Sequence, residues 1–279
     1  MTYCVGIHVN DGLVFASDSR TNAGLDHISS YSKLHCYRFP GDRMFVLLAA
    51  GNLATTQEVV KKMHQSGADG LPILSTVPNM HAAVDFVAQL SADVQRQQQS
   101  RDTANTNFEA TFIFGGQILG QPPELYMIYA QGNFIHEPPN HPFLQIGETK
   151  YGKPILDRVI HPDTDLETAA RCALVSINST IRSNLSVGAP IELLILQRDM
   201  VDMPYRIKLN EDDPYYRELT EKWGMGLQRA LDGLPRIPWQ PSDASELIHT
   251  PMPREMMQGE MVQQCATQQQ QLGEFNQSH

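Results

Sequence analysis

No stretch of this 279-residue chain stays apolar for the roughly 18 residues that a membrane span requires. Its first residues lack the basic opening of a secretory signal, and Asp11 and Asp18 interrupt the apolar segment that follows. Basic residues are in deficit, 21 Lys and Arg against 31 Asp and Glu, for a net charge of −10. That balance argues against nucleic acid or an anionic membrane as the main partner. Cysteine is scarce: Cys4, Cys36, Cys172 and Cys265 are scattered without metal-ligand spacing, as expected of reduced thiols in a cytoplasmic protein. The ten histidines form no HExxH or similar cluster, so no metal site is expected; His8, His27 and His35 fall near the N-terminal segment of interest. No nucleotide-binding motif occurs either. What remains, at 41% hydrophobic residues, is an ordinary globular chain long enough for one large core or two small ones.

The segment from Met1 to Lys33 carries the chemistry. Tyr3, Val5, Ile7 and Val9 alternate with the period of a half-buried strand, Asn10-Asp11-Gly12 is a turn, and Leu13 to Arg20 returns as a second strand. A three-residue loop with Gly12 in the left-handed position pairs Val9 with Leu13, Cys4 with Asp18 and Thr2 with Arg20. Thr2 and Asp18 then lie diagonally on one face. A two-residue Asp11-Gly12 loop would instead send Asp18 to the opposite face. The first strand begins at the start of the chain, and a small residue after Met1 favours trimming of the methionine. Thr2 would then own a free α-amine with a reference pKa near ~7.7–8.0 beside its hydroxyl, a weak base and a nucleophile on one residue. By position alone, a Met-Thr opening carries no catalytic meaning.

Further along, Ile28 to Phe39 reads as a second hairpin-like segment carrying Lys33. Met44 to Ala50 is a continuous apolar run suited to a central strand, ending at Gly51-Asn52, where a helix starts near Leu53. Such a junction can aim a backbone amide at an anion or a developing oxyanion. Residues 66 to 79 form a loop, and a helix follows from Met80 to Gln98. Strands are expected at 109–116, 125–129, 134–136 and 143–147, helices at 151–158 and 165–182, strands at 191–196 and 205–209, and a helix at 215–231. Paired strands and paired helices, rather than single alternation, imply antiparallel sheets packed face to face with helices outside. After Pro235 the chain becomes rich in Pro, Met and Gln. The expected organisation is a domain over 1–234 and a tail over 235–279 that is flexible or docks on a neighbouring subunit.

These residues resemble a family. Thr2 at a strand start, Ala16-Ser17-Asp18-Ser19-Arg20, Lys33, and Ala49-Ala50-Gly51-Asn52-Leu53-Ala54 are similar to a proteasome β-type subunit of the N-terminal nucleophile hydrolases. Thr2-Tyr3-Cys4-Val5-Gly6-Ile7, Asp26-His27-Ile28-Ser29 and Ser186-Val187-Gly188-Ala189-Pro190-Ile191 resemble its bacterial Anbu group. The resemblance covers about residues 2 to 231. It implies an α+β fold, a four-layer αββα sandwich, and a threonine-type amide hydrolase that needs no cofactor.

Carried over, Thr2 would be nucleophile and proton acceptor, Lys33 would lower the hydroxyl pKa, and Asp18 would hold Lys33. Gly51 would offer its amide to the tetrahedral intermediate. The pocket would be lined by Ala49 and Leu53 with Arg20 at one wall. The sequence departs from the family where Gly147-Glu148-Thr149 replaces a Gly-Ser-Gly run and where Asn184-Leu185-Ser186 replaces an aspartate-serine pair. Glu148, Asn184 and Ser186 are therefore candidate supporting residues, together with Arg20.

The implied partners are a peptide or unfolded-protein substrate, further copies of the chain in a ring or spiral, and a separate ATP-dependent unfolding partner. Three readings stand: a peptidase activated by loss of Met1, a non-peptide amidohydrolase with the same nucleophile, and a catalytically weak scaffold or binding subunit.

Overall fold

The computed structural model describes residues 2–22, 28–65, 67, 70–101 and 106–237. Met1, Asp26, His27, Cys265 and the segment 238–279 lie outside the described residues, so the expectations that fall on them are not addressed by it. A first compact unit spans Met1–Arg229; the second, Ala230–His279, is described only to Ile237 and holds the end of the last helix.

The chain opens with β1 (Tyr3–Val9), β2 (Gly12–Asp18), β3 (Arg20–Asn22), β4 (Ile28–Ser30), β5 (Leu34–Phe39) and β6 (Arg43–Gly51). Helices α1 (Leu53–Lys62), α2 (Ile73–Thr76) and α3 (Met80–Gln99) come next. They are followed by β7 (Ala110–Ile118), β8 (Glu124–Ile128), β9 (Phe134–His136) and β10 (Phe143–Gly147). Helices α4 (Lys153–Val159) and α5 (Leu166–Ser183), strands β11 (Ile191–Gln197) and β12 (Tyr205–Leu209), and helix α6 (Pro214–Asp232) complete the described part.

Two antiparallel five-stranded sheets result, ordered β10-β1-β2-β11-β12 and β5-β6-β7-β8-β9. Strand β6 shows how its sequence builds both sides of a sheet. Met44, Val46, Leu48 and Ala50 enter the core between the two sheets, where Phe15, Ile113 and Leu125 meet them. Phe45, Leu47 and Ala49 point the other way, into a core closed by Val59 of α1 and Val84 and Val87 of α3. Tyr3, Val5 and Ile7 of β1 face a third core made with Ala173 and Ile177 of α5. Helix, sheet, sheet and helix therefore stack as the expected αββα sandwich, an α+β fold.

Three local readings are corrected. Strand β1 is buried on both faces rather than half-buried, because its second face is small: a Cβ on Gly6 would lie 2.9 Å from Leu125 Cδ1. The hairpin pairs Val9 with Gly12 and Cys4 with Ser17, one residue short of the expected register. The cause is β11, which pairs with β2 as far as Gln197 opposite Gly12 and draws that glycine into the ladder. Gly12 has φ +142°, and a Cβ there would sit 2.2 Å from the carbonyl oxygen of Leu196, so only glycine fits. Finally, β4 and β5 do not form a hairpin. Strand β4 pairs with β3 and β5 with β6, leaving Lys33 in the link between two sheets, just before β5.

Candidate active site

Thr2 stands immediately before β1, and its position is fixed through its own peptide groups. The Glu148 N–H donates to the Thr2 carbonyl oxygen at 2.7 Å. Gly147, at φ +86°, allows that approach, since a Cβ there would be 2.0 Å from the same oxygen. On the other side the Tyr3 N–H donates to Asp18 Oδ1 at 2.9 Å. Beneath, the Tyr3 hydroxyl meets Ser176 Oγ at 2.6 Å and accepts from Gln145 Nε2 at 2.7 Å, anchoring the strand start to α5 and β10.

The shortened hairpin register sets Asp18 across from Tyr3 rather than diagonal to Thr2. Its carboxylate thus holds the Thr2–Tyr3 peptide, and among the described residues no hydrogen bond joins the Thr2 and Asp18 side chains. Lys33 Nζ donates to Asp18 Oδ1 at 2.7 Å and to the Arg20 carbonyl at 2.8 Å. The Gly188 N–H donates to Asp18 Oδ2 at 3.2 Å. The Lys33 and Asp18 side chains are 9% and 0% exposed, so this is a buried ion pair with its acceptor fully engaged. Burial raises the Asp18 carboxyl above the usual range, while Lys33 and the two amides pull against that rise.

A cavity of about 680 Å³ opens over this pair and collects Thr2, Arg20, Lys33, Ala49, Gly51 and Leu53 among its walls. The Ala49 N–H donates to the Lys33 carbonyl at 3.0 Å, which ties the lysine segment to β6. Gly51 ends β6 at φ +119°, where a Cβ would lie 2.4 Å from the Glu109 carbonyl oxygen. Asn52 caps α1, its Oδ1 accepting from the Ala54 and Thr55 N–H groups at 3.0 and 3.2 Å. Two first-turn amides are therefore already occupied, and Gly51 lies one residue before the cap.

The supporting candidates cluster with one another. Asn184 Nδ2 donates to Glu148 Oε2 at 3.1 Å, the Ser186 N–H donates to Asn184 Oδ1 at 3.0 Å, and the Lys150 N–H donates to Glu148 Oε1 at 3.2 Å. Arg20 contributes a cavity wall and also braces the same region, donating to the Leu185 carbonyl at 3.0 Å and to Glu211 Oε1 at 3.1 Å. Of the histidines, His35 lines the cavity. His8 belongs elsewhere: it sits six residues beyond Thr2, about 20 Å along the strand, and its Nδ1 pairs with Glu137 at 2.6 Å.

Sequence reasoning missed Gly147 as the residue that admits the Glu148 N–H to the Thr2 carbonyl, and the Tyr3 and Gly188 amides as partners of Asp18. Only the glycine left a readable signal, standing where β10 ends. Among the described residues there is no metal-ligand cluster and no helix long and apolar enough to cross a membrane.

A four-layer αββα sandwich whose central strand begins at a candidate nucleophile has the architecture of the N-terminal nucleophile hydrolases. The family model described as proteasome subunit matches residues 2–196. A helical assembly of the Anbu complex from Pseudomonas aeruginosa is similar at 48% identity over 86% of this chain and 100% of that one, with a TM-score of 0.79. Anbu from Hyphomicrobium sp. strain MC1 matches at 46% identity over 85% and 100%, with a TM-score of 0.75. Anbu, described as an ancestral β-subunit, from Yersinia bercovieri matches at 41% over 85% and 100%, with a TM-score of 0.77. No curated protein sequence matches the chain. The chain belongs to the proteasome subunit family, in its Anbu group.

Proposed function

We propose that the protein is a threonine-type peptidase in which removal of Met1 frees the α-amine of Thr2. Thr2 Oγ attacks the carbonyl carbon of a peptide bond while the Thr2 amine accepts the hydroxyl proton. The tetrahedral intermediate collapses to an ester on Thr2 as the leaving amine takes up that proton. Water then attacks the ester, releasing the carboxylic acid and restoring the hydroxyl. Lys33 favours the developing alkoxide, Asp18 orients Lys33, and the Gly51 amide serves the oxyanion. Glu148, Asn184 and Ser186 act indirectly, by steadying the backbone that carries Thr2. The active form is a self-assembled homo-oligomer; this rests on likeness to the Pseudomonas aeruginosa Anbu complex, described as a helical assembly.

The observation that carries the reading is the buried Asp18–Lys33 pair beneath the cavity that Thr2 lines. A buried ion pair is often no more stabilising than apolar residues of similar volume, which favours a chemical role for this one beside its structural contacts. A second reading, a scaffold subunit with weak catalysis, draws on the Glu148 side chain, whose two oxygens accept from the Lys150 N–H and Asn184 Nδ2.

Intact-protein mass spectrometry before and after a β-lactone or epoxyketone probe tests the choice. The expected result is loss of the Met1 mass and one adduct per chain, abolished by Thr2→Ala. Retention of Met1, or a chain beginning at Thr2 that takes no adduct, would establish the scaffold reading instead.

A further inference from the structure

The chain carries a net charge of −10, yet among the described residues lining the Thr2 cavity there is no carboxylate. The charged or chargeable nitrogen groups there are those of Arg20, Lys33, His35 and Lys61. Three of these are already accounted for. Lys33 is held by Asp18, Arg20 by Glu211 and the Leu185 carbonyl, and burial holds His35 below the ordinary histidine range, so it is neutral at pH 7. Lys61 is different. It is exposed, and among the described residues it has no ion-pair partner; the carboxylate nearest on its own helix, Glu58, pairs with Lys62 at 3.6 Å.

Helix α1 brings Lys61 to the cavity through its periodicity. Leu53, Thr56, Gln57, Val60 and Lys61 recur at the three- and four-residue spacing of one helix face, and all five line the cavity. The face runs from apolar beside Gly51 to basic at its far end. Lys61 is eight residues beyond Leu53, about 12 Å along the axis. Ala49, small and on the α1 side of β6, leaves the floor beneath this face open. A side chain entering beside Thr2 would therefore pass apolar and amide surface before reaching a cation.

We propose that this cavity selects peptides with an acidic side chain, glutamate above aspartate, at the residue preceding the cleaved bond, with Lys61 as the counter-charge. The proposal rests on Thr2 being the nucleophile. The apolar walls take the methylenes and Lys61 meets the carboxylate. The longer acid is favoured because the cation lies toward the far end of the helix face. A basic side chain in the same place would face Lys61 with like charge and no carboxylate to offset it.

Full-length protein, with Met1 removal verified by mass, is given three fluorogenic peptide amides that differ only in that residue: glutamate, leucine or arginine. The expected order of kcat/KM is glutamate, leucine, arginine, with about tenfold or more between the first and last. In Lys61→Glu the order inverts, the arginine peptide gaining as the glutamate peptide loses. If Thr2 takes the β-lactone adduct but the peptides are cleaved in another order, or not at all, the substrate class is overturned and the nucleophile stands. An unchanged order in Lys61→Glu removes Lys61 from the assignment. Absence of both adduct and cleavage overturns the nucleophile and the substrate class together.

Discussion

On the Asp18 side of Thr2, three donors converge on one carboxylate that water does not reach: the Tyr3 N–H, the Gly188 N–H and Lys33 Nζ. On the Glu148 side, the residues are half-buried, and each carboxylate oxygen has one partner, at 3.1 and 3.2 Å. The first flank has its geometry over-determined, because Asp18, Lys33 and the strand start hold one another. The second holds Thr2 through a single backbone bond and is otherwise a surface network. The family resemblance is closest on the first flank and departs on the second. Catalysis by this chain should therefore be far more sensitive to the buried flank, and substitutions on the two sides measure that difference.

Lys33→Ala should have the largest effect. It leaves Asp18 buried without its cation, a change that costs about 3–5 kcal/mol of stability in comparable buried pairs. Urea unfolding monitored by tryptophan fluorescence checks this part. If Lys33 also stabilises the alkoxide, labelling of Thr2 slows by about 10²–10⁴-fold in the fraction that remains folded. A variant that unfolds early yet labels at the wild-type rate would make the pair structural only.

Much of this contrast could be read from the sequence. The continuous apolar run Met44–Ala50 located a central strand, which the structure shows feeding two cores, and paired strands and helices implied the sandwich. The hairpin register could not be read, since its arbiter is β11, whose pairing with Gly12 joins positions far apart in sequence. The Lys33 segment failed for a similar reason: local apolar pattern cannot say that β4 and β5 belong to different sheets. The carboxylate and lysine were identifiable as residue types, but the amides of Tyr3 and Gly188 leave no trace in residue identity. Lys61 carries no signal alone, and it gained meaning only when helix α1 and the cavity were seen together.

Gly147→Ala, at the junction of the two flanks, should rank second. The φ of +86° costs a non-glycine residue about 1–3 kcal/mol, and the new Cβ collides with the Thr2 carbonyl oxygen. Displacement of Thr2 by the order of 1 Å would lower the rate of acyl transfer by about 10²-fold. Single-turnover labelling compared with unfolding midpoint separates the two consequences. Equal labelling rates would show that the Glu148 N–H contact does not set the position of Thr2.

The raised Asp18 carboxyl predicts an intermediate effect of pH. In the unfolded chain it titrates near 3.8, and in the fold it holds its proton to higher pH. Between those values the native state binds more protons than the unfolded one, so this group's contribution to stability is full below 3.8 and is lost as pH rises through the folded value. Activity runs in the opposite direction, because only the ionised carboxylate pairs with Lys33. The acid limb of the labelling rate should therefore have its midpoint above 3.8, and in Asp18→Asn that limb should vanish together with most of the rate.

Glu148→Gln should have the smallest effect, and its size decides how the flanks differ. The amide keeps an oxygen for either the Lys150 N–H or Asn184 Nδ2 but not both as acceptors, and the site is half-open to water. Loss of one such bond costs about 0.5–1.5 kcal/mol, and solvent access places it at the low end. The Glu148 N–H bond to Thr2 is made by the backbone and survives the substitution. Labelling should consequently slow by less than about tenfold, the equivalent of ~1.4 kcal/mol. A loss as large as that of Lys33→Ala would mean that the Glu148 carboxylate acts on the Thr2 amine itself, by turning toward it once Met1 is removed. The two flanks would then be equal partners in the chemistry, one tuning the hydroxyl and the other the base.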